Sequence, residues 1–437
     1  MKITDTVERV GLVVCVGLIA FLIGQAVSYF QLPSSQFIGN AFSAIEAIQL
    51  GWEDFGTDDE AGEFAGEAVV HNASRMGDGL TLVIETGVRS LNTAEIRLVD
   101  SGGEIKHTWT VPWDDIEAKG WPDTAGGGIP MSPQTVYPRA TQLYANGDLL
   151  ILMHARGRTP FGVGLAKIDI DSNLIWTYNR WAHHDINLGD DGNIYTMSHE
   201  LKIEGNDTIE MMKSLNYDIM VDTPFIDDTV VVLSPEGEEL ISVSITEALG
   251  NSEFVPVFGV APPDEQGDHL HANSVQVVTE TLAAQIPFAE AGNVLVSSRT
   301  LHALLLIDLE TELVTWVGTG SWRYQHDAQF LENGNIQFLD NIGGLTHTGG
   351  ATQINEYNPV TGEIVWQYQG TEEFPLNTRE LGEVQRLANG NVLISETMSG
   401  RVVEVTPDKE VVWEYFGNEL IDAVRIPFDQ LPAQFSE

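Results

Sequence analysis

From about residue 67 to the C-terminus, apolar and polar residues alternate in short runs of period two, broken by polar turns. The recurring unit is an alternating run, a turn of the Asn-Gly type, and a second apolar run. It stands in "ATQLYANGDLLILMHAR", "DINLGDDGNIYTMSHE", "FAEAGNVLVSSRTLHALLLIDLE", "AQFLENGNIQFLDN" and "VQRLANGNVLISET". Asn-Gly and Asp-Gly supply the positive φ angles that tight hairpins require. Several units continue through another strand and turn into an aromatic strand, as in "AKIDIDSNLIWTYN", "INEYNPVTGEIVWQYQG" and "VVEVTPDKEVVWEYFG". The turn glycines are Gly147, Gly192, Gly292, Gly334 and Gly390, spaced by 45, 100, 42 and 56 residues, with a degenerate first copy around Gly79. A four-stranded unit at such spacing predicts a β-propeller. The 100-residue gap is read as one blade's outer strands plus long loops, which makes six blades. The tryptophans of "LIWTYN", "LVTWVG", "IVWQYQ" and "VVWEYF" recur at one blade position and are read as inter-blade core.

The N-terminus follows another pattern. Val10 to Gly24 is uncharged, and the apolar stretch runs on to Phe30; about 20 apolar residues cross a bilayer. Lys2 and Arg9 precede it, and no Lys or Arg follows until Arg75. The positive-inside rule then predicts a membrane anchor over residues 1–31, its N-terminus cytoplasmic and the bulk in the periplasm or outside the cell. A cleaved signal peptide ending at "AVS" (Ala26 to Ser28) is the rival reading. Phe37, Ile38, Phe42, Ile45 and Ile48 lie at helical spacing, so residues 32–66 read as a stalk helix and acidic linker, with the propeller over 67–437. The expected fold is therefore all-β, a six-bladed β-propeller carried on an N-terminal transmembrane helix and short stalk. The single cysteine, Cys15, lies in the anchor, so the exported part has no disulfide.

Charge narrows the partners. The chain has 64 acidic and 21 basic residues, a formal net charge of -43. Such a field repels nucleic acid and anionic lipid, leaving the N-terminal helix as the only membrane contact. It also suits salty water, where screening blunts the self-repulsion.

Against this acidity, the basic residues fall in register. Arg139, His184 and His326 stand eight residues before their turn glycines. His154, His199 and Arg299 stand seven after theirs, with Asn341 and Thr397 at the same place in the other two units. The fourth unit has an insertion before Gly292, but "DHLHANSVQV" sets His271 three residues before Ser274, as His326 stands before Gln329. The inner strand of each blade lines the central channel, so these positions converge on one axis. The result is a cationic ring able to focus field on a small anion. His302 and His347 are read as surface or structural.

Three chemistries fit a ring of histidine and arginine. One is a histidine metal site, kept open by "DHLH" and the His183–His184 pair and opposed by the arginines. Another is an anion-binding module without chemistry. The third is a nucleophilic histidine attacking an electrophilic anion, with the other basic groups stabilising developing charge.

"AHHDINLGDDGN", "DHLHANSVQV", "VLVSSRTLHALLLID" and "QHDAQFLENGNIQFLDN" resemble, in the same order, the motifs of the bacterial arylsulfate sulfotransferases. These are exported six-bladed propellers that move a sulfuryl group between phenols without PAPS, and the resemblance covers roughly residues 130–430. It implies that His326 is the nucleophile, passing through a sulfohistidine in a ping-pong reaction between an aryl sulfate donor and a phenolic acceptor. Arg299 and His271 would hold the sulfonate oxygens, and one of them would protonate the leaving phenolate. His184, favoured by the register over His183, would complete the catalytic set. Arg139, His199, Asn341 and His183 are expected to line the substrate site, and no cofactor or metal is expected. Two features depart from the family: there is no cysteine pair, and the family's N-terminal β-domain is reduced to residues 31–110 or less.

Overall fold

The computed structural model describes residues 66–435, apart from 86–94, 123–130, 134, 204, 216, 218–224, 261–266, 344–351 and 418–419. The expected anchor, stalk and linker lie outside the described residues, except Gly66, as does His347. Among the described residues no helix is long and apolar enough to cross a membrane.

Six antiparallel sheets form the blades, each with its inner strand first. Blade II runs Val136–Leu143, Leu149–Ala155, Gly162–Ile168 and Leu174–Tyr178. Blade III is Ala182–Leu188, Ile194–Lys202, Phe225–Leu233 and Glu239–Ser244. Blade IV is Ala272–Val277, Val294–Ser298, Ala303–Asp308 and Leu313–Thr319. Blade V is His326–Phe330, Ile336–Asp340, Gln353–Asn358 and Glu363–Tyr368. Blade VI is Glu383–Arg386, Val392–Glu396, Arg401–Val405 and Val411–Phe416, with Glu67–Val70 added outside it. Blade I closes the ring: its inner strand is the C-terminal Leu420–Ile426, paired with Leu80–Glu85, Glu95–Val99 and Ile105–Thr110. Residues 80–110, counted above with a reduced N-terminal β-domain, are thus blade strands, because the C-terminal strand has no hairpin partner of its own. Gly79 takes the turn position with φ 119°, and a Cβ there would meet the Ile426 carbonyl oxygen at 2.1 Å.

The core is divided among the seams between blades. Six clusters of buried aliphatic and aromatic side chains occupy them, one for each neighbouring pair of blades. Two of the recurring tryptophans tie their seams by hydrogen bonds: Trp366 Nε1 donates to Pro407 O and Trp413 Nε1 to Ser101 O, each at 2.8 Å. Trp413 is fully buried, whereas Trp176, Trp316 and Trp366 are only half-buried.

Inner strands present a free edge, and bare edge N–H groups are costly when buried. At four of the six junctions, side-chain oxygens of the preceding blade satisfy some of them. Asp185 and Asn187 accept from Val275 and Val277, Ser274 and Gln276 from Ala328 and Phe330, Asp327 from Val384, and Gln385 from Arg425. This stitching holds the inner strands in a fixed register around the axis.

Candidate active site

In four consecutive blades the inner strand is irregular near its start. The pairing shifts between Pro138 and Ala140, His183 and Ile186, Ala272 and Ser274, and His326 and Gln329. A bulge re-aims side chains and raises local twist. Around these bulges His184, His271, Tyr324 and Asp327 adopt positive φ of 62°, 47°, 56° and 50°. Such conformations cost about 1–3 kcal/mol each in non-glycine residues and persist where surrounding structure holds them.

His326 is buried at the start of blade V's inner strand. Its Nδ1 lies 2.7 Å from Asn341 Oδ1 and 3.0 Å from the Tyr324 carbonyl oxygen. Both neighbours are acceptors, so Nδ1 carries the proton and Nε2 keeps its lone pair. The Asn341 amide cannot turn over, because its Nδ2 donates to Thr378 O at 2.9 Å and Leu381 O at 2.7 Å. Burial, reinforced by the Arg299 charge and opposed by Asn341, pushes the imidazole down to about 3. His326 is therefore neutral at ordinary pH.

Arg299 follows the second strand of blade IV, its guanidinium 4.5 Å from the centre of the Tyr324 ring. His302 is half-buried beside them, its Nδ1 accepting from the Tyr324 N–H at 3.3 Å. His271 is partly exposed and faces Asp268 with Nδ1 at 2.6 Å from Oδ2. Burial alone would raise Asp268, but His271 outweighs it and holds the carboxyl below its ordinary range.

His184 bridges this group to the other histidines. Its backbone N–H donates to His154 Nε2 at 2.8 Å, and its Nδ1 lies 2.8 Å from His183 Nδ1. His183 in turn stacks on His199, ring centres 3.8 Å apart. Burial first, then the surrounding charges, holds His154 and His184 well below the ordinary histidine range. The Phe161 ring lies within 6 Å of five histidine rings, closest to His199 at 4.6 Å.

Arg139 is buried and ion-paired with Glu383, and its charge reaches His154, His184 and His326. Glu383, Asp422, Asp185 and Asp327 form an acidic waist around a cavity of about 200 Å³ lined by all six blades. Asp185 and Asp327 are each raised to about 7, by burial first and then by their acidic neighbours.

The structure thus gathers all eight residues expected from the sequence at one end of the channel. His326, Asn341, Arg299 and His271 are linked on one side, and His184, His183 and His199 on the other. Thr397, in the same register, instead donates its hydroxyl to Ile421 O at 2.8 Å. Sequence reasoning missed Phe161, Tyr324 and Asp228. Their only signal is their place in space, since no repeat position marks them.

The sequence profile of the family described as Arylsulfotransferase (ASST) matches residues 140–418, well over half of the chain. The chain belongs to the arylsulfotransferase family. The matched span of this family member takes in every site residue expected from the sequence except Arg139, which precedes it by one position. Membership makes it a sulfotransferase, and aryl sulfate donors and phenolic acceptors fit the family. No curated protein matches the chain. Among solved structures, a protein of unknown function from Bacteroides caccae is 14% identical at a TM-score of 0.46, covering 77% of this chain and 93% of its own. A virginiamycin B lyase from Staphylococcus aureus is 8% identical at 0.37, covering 81% and 89%. Likenesses this distant add nothing to what the sheets show.

Proposed function

We propose that this protein transfers a sulfuryl group from an aryl sulfate ester to a phenol through a sulfohistidine on His326 Nε2. The observation that carries the reading is the fixed tautomer: two oxygens hold Nδ1–H, one belonging to an amide that is itself locked. In the first half-reaction the Nε2 lone pair forms the N–S bond while the S–O bond to the aryl group breaks. The electron pair leaves on the phenolate oxygen, which takes a proton from His271, whose charge Asp268 balances. Arg299 and the ring Nε2–H of His184 offset charge on the sulfonate oxygens. In the second, the acceptor oxygen attacks sulfur, its proton returns to His271, and the N–S pair goes back to Nε2. One product leaves before the acceptor reacts, so initial rates follow a ping-pong pattern.

The test uses p-nitrophenyl sulfate with and without phenol, on wild type and His326→Ala, at low and high salt. Nitrophenol release that needs phenol and disappears in the variant supports transfer. Release without phenol points to a sulfatase, and no release by folded protein to an anion-binding module.

The same reading places the propeller outside the cytoplasm, on an anchor over residues 1–31. It is supported by the uncharged run Val10 to Gly24 and the absence of Lys and Arg between Arg9 and Arg75. Extraction from membranes by alkaline carbonate, or an N-terminus beginning after Ser28, would refute the anchor.

A further inference from the structure

Three adjacent strands of blade III bring together side chains that the transfer chemistry does not use directly. His183 is on the inner strand, and His199 and Asp228 face each other as a register pair on the next two. Asp228 Oδ1 lies 3.3 Å from His183 Nε2 and 3.6 Å from His199 Nε2, and each of the three residues offers a ligand atom within 4.8 Å of the others'. All three residues are buried, and none of these three atoms has a hydrogen-bond partner. The other carboxylate oxygen is fixed, accepting from the Ala272 N–H at 2.7 Å.

Buried polar atoms are nearly always satisfied, so three orphans clustered together call for an occupant. The spacing decides which. Partners of a bridging water, each about 2.8 Å from it at tetrahedral angles, stand about 4.6 Å apart. Ligands about 2.0–2.1 Å from a tetrahedral zinc ion stand about 3.3 Å apart. The observed 3.3 and 3.6 Å match the ion. Asp268 lies within electrostatic reach of both histidines and of Asp228, so the surroundings favour a cation. Of the two arginines weighed against a metal, Arg139 pairs through Nη2 with Glu383 and Arg299 lies over Tyr324, and neither charge acts on His183 or His199.

We propose that His183 Nε2, His199 Nε2 and Asp228 Oδ1 form a three-ligand site for a divalent transition-metal ion, zinc foremost, with a fourth position left to water. Two nitrogens and one carboxylate are donors of the kind zinc takes, with no thiolate to select copper(I). Binding tilts the two imidazoles apart from their stack, 10° from parallel. Coordination at Nε2 leaves the His183 proton on Nδ1, which donates to His184 Nδ1 at 2.8 Å. His184 then keeps its own proton on Nε2. The ion acts as a positioning device on the tautomer of His184. This last consequence rests on the sulfuryl-transfer reading; the site itself does not.

The test strips the purified full-length chain with a chelator, then dialyses it against zinc or cobalt(II) and measures metal by mass spectrometry. One equivalent of zinc, a higher melting temperature on loading, and the intense visible bands of four-coordinate cobalt are expected. His199→Ala and Asp228→Asn should each lower uptake at least tenfold. Under a tenth of an equivalent in folded wild type after dialysis against zinc overturns the proposal, as does unchanged uptake in both variants. Should the variants fail to fold, the wild-type titration and cobalt spectrum decide alone. Assaying p-nitrophenyl sulfate on stripped and loaded protein separates the two readings. Metal uptake without transfer leaves the site standing and removes the function; transfer without uptake does the reverse.

Discussion

His184 and Asp185 are consecutive residues, as are His326 and Asp327, yet each pair supplies two layers of the channel with different fates. In the waist, Asp185 and Asp327 accept N–H groups of Val275 and Val384 in the next blade, so their oxygens are taken up in holding the ring together. In the histidine chamber, by contrast, His183 Nε2, both ring nitrogens of His199, and Nε and Nη1 of Arg139 find no hydrogen-bond partner. Two layers of one channel are thus told apart by satisfaction of their polar atoms. The satisfied layer is architecture, and the unsatisfied one is where a ligand belongs.

Four experiments press on this contrast. Replacing His326 with alanine should lower phenol-dependent turnover at least about a thousandfold with the fold intact by circular dichroism. A residual rate within tenfold of wild type would remove the nucleophile from the chamber. Asn341→Ala frees the His326 tautomer and should cost about 10- to 100-fold in kcat, with KM nearly unchanged; a change confined to KM would make Asn341 a substrate contact instead. In the waist, Glu383→Ala leaves the Arg139 guanidinium without its ion pair, and denaturant titration should show a loss of about 3 kcal/mol. An unaltered midpoint would mean that Asp422 alone suffices for Arg139.

The fourth is the smallest effect and concerns pH. Asp327 is raised from near 4 to about 7, so the folded state holds this proton more tightly than the unfolded one. Its contribution therefore weakens stability progressively as pH rises from about 4 to 7. Asp327→Asn lacks that slope, and its melting temperature relative to wild type should climb across this window. The chamber has the opposite sign. His326 sits at about 3, and His154 and His184 are also depressed, so they favour the fold above about 6.5 and lose that contribution as pH falls. A variant-to-wild-type difference that falls with rising pH would contradict the placement of Asp327 in the waist.

Much of this was legible because Asn-Gly turns mark a fixed point in each blade. Counting from Gly147, Gly192 and Gly334 places Arg139, His184 and His326 at one height, and the structure brings them to one end of the channel. The count fails in blade IV because a helical turn, Glu280–Ala283, stands between the inner strand and Gly292. Asp228 was not legible: it meets His199 only through pairing of strands separated by a long insertion. Phe161 reaches five histidines from an irregular segment between two strands, with no repeat position to flag it. The inner strand of blade I was hidden because "LIDAVRI" arrives without its hairpin, some 340 residues after the strand it completes.

That last strand sets a clock on the molecule. As the chain is made from its N-terminus, five blades and three strands of the sixth exist before Leu420–Ile426 emerges. Until then Glu67–Val70 can already pair with Val411–Phe416 on blade VI, but Leu80–Glu85 stays an unpaired edge offered to any passing strand. The inner edge of blade I is completed in one late event resting on seven residues. A nick or early stop that removed them would leave every histidine of the chamber in the chain and still deprive it of a channel.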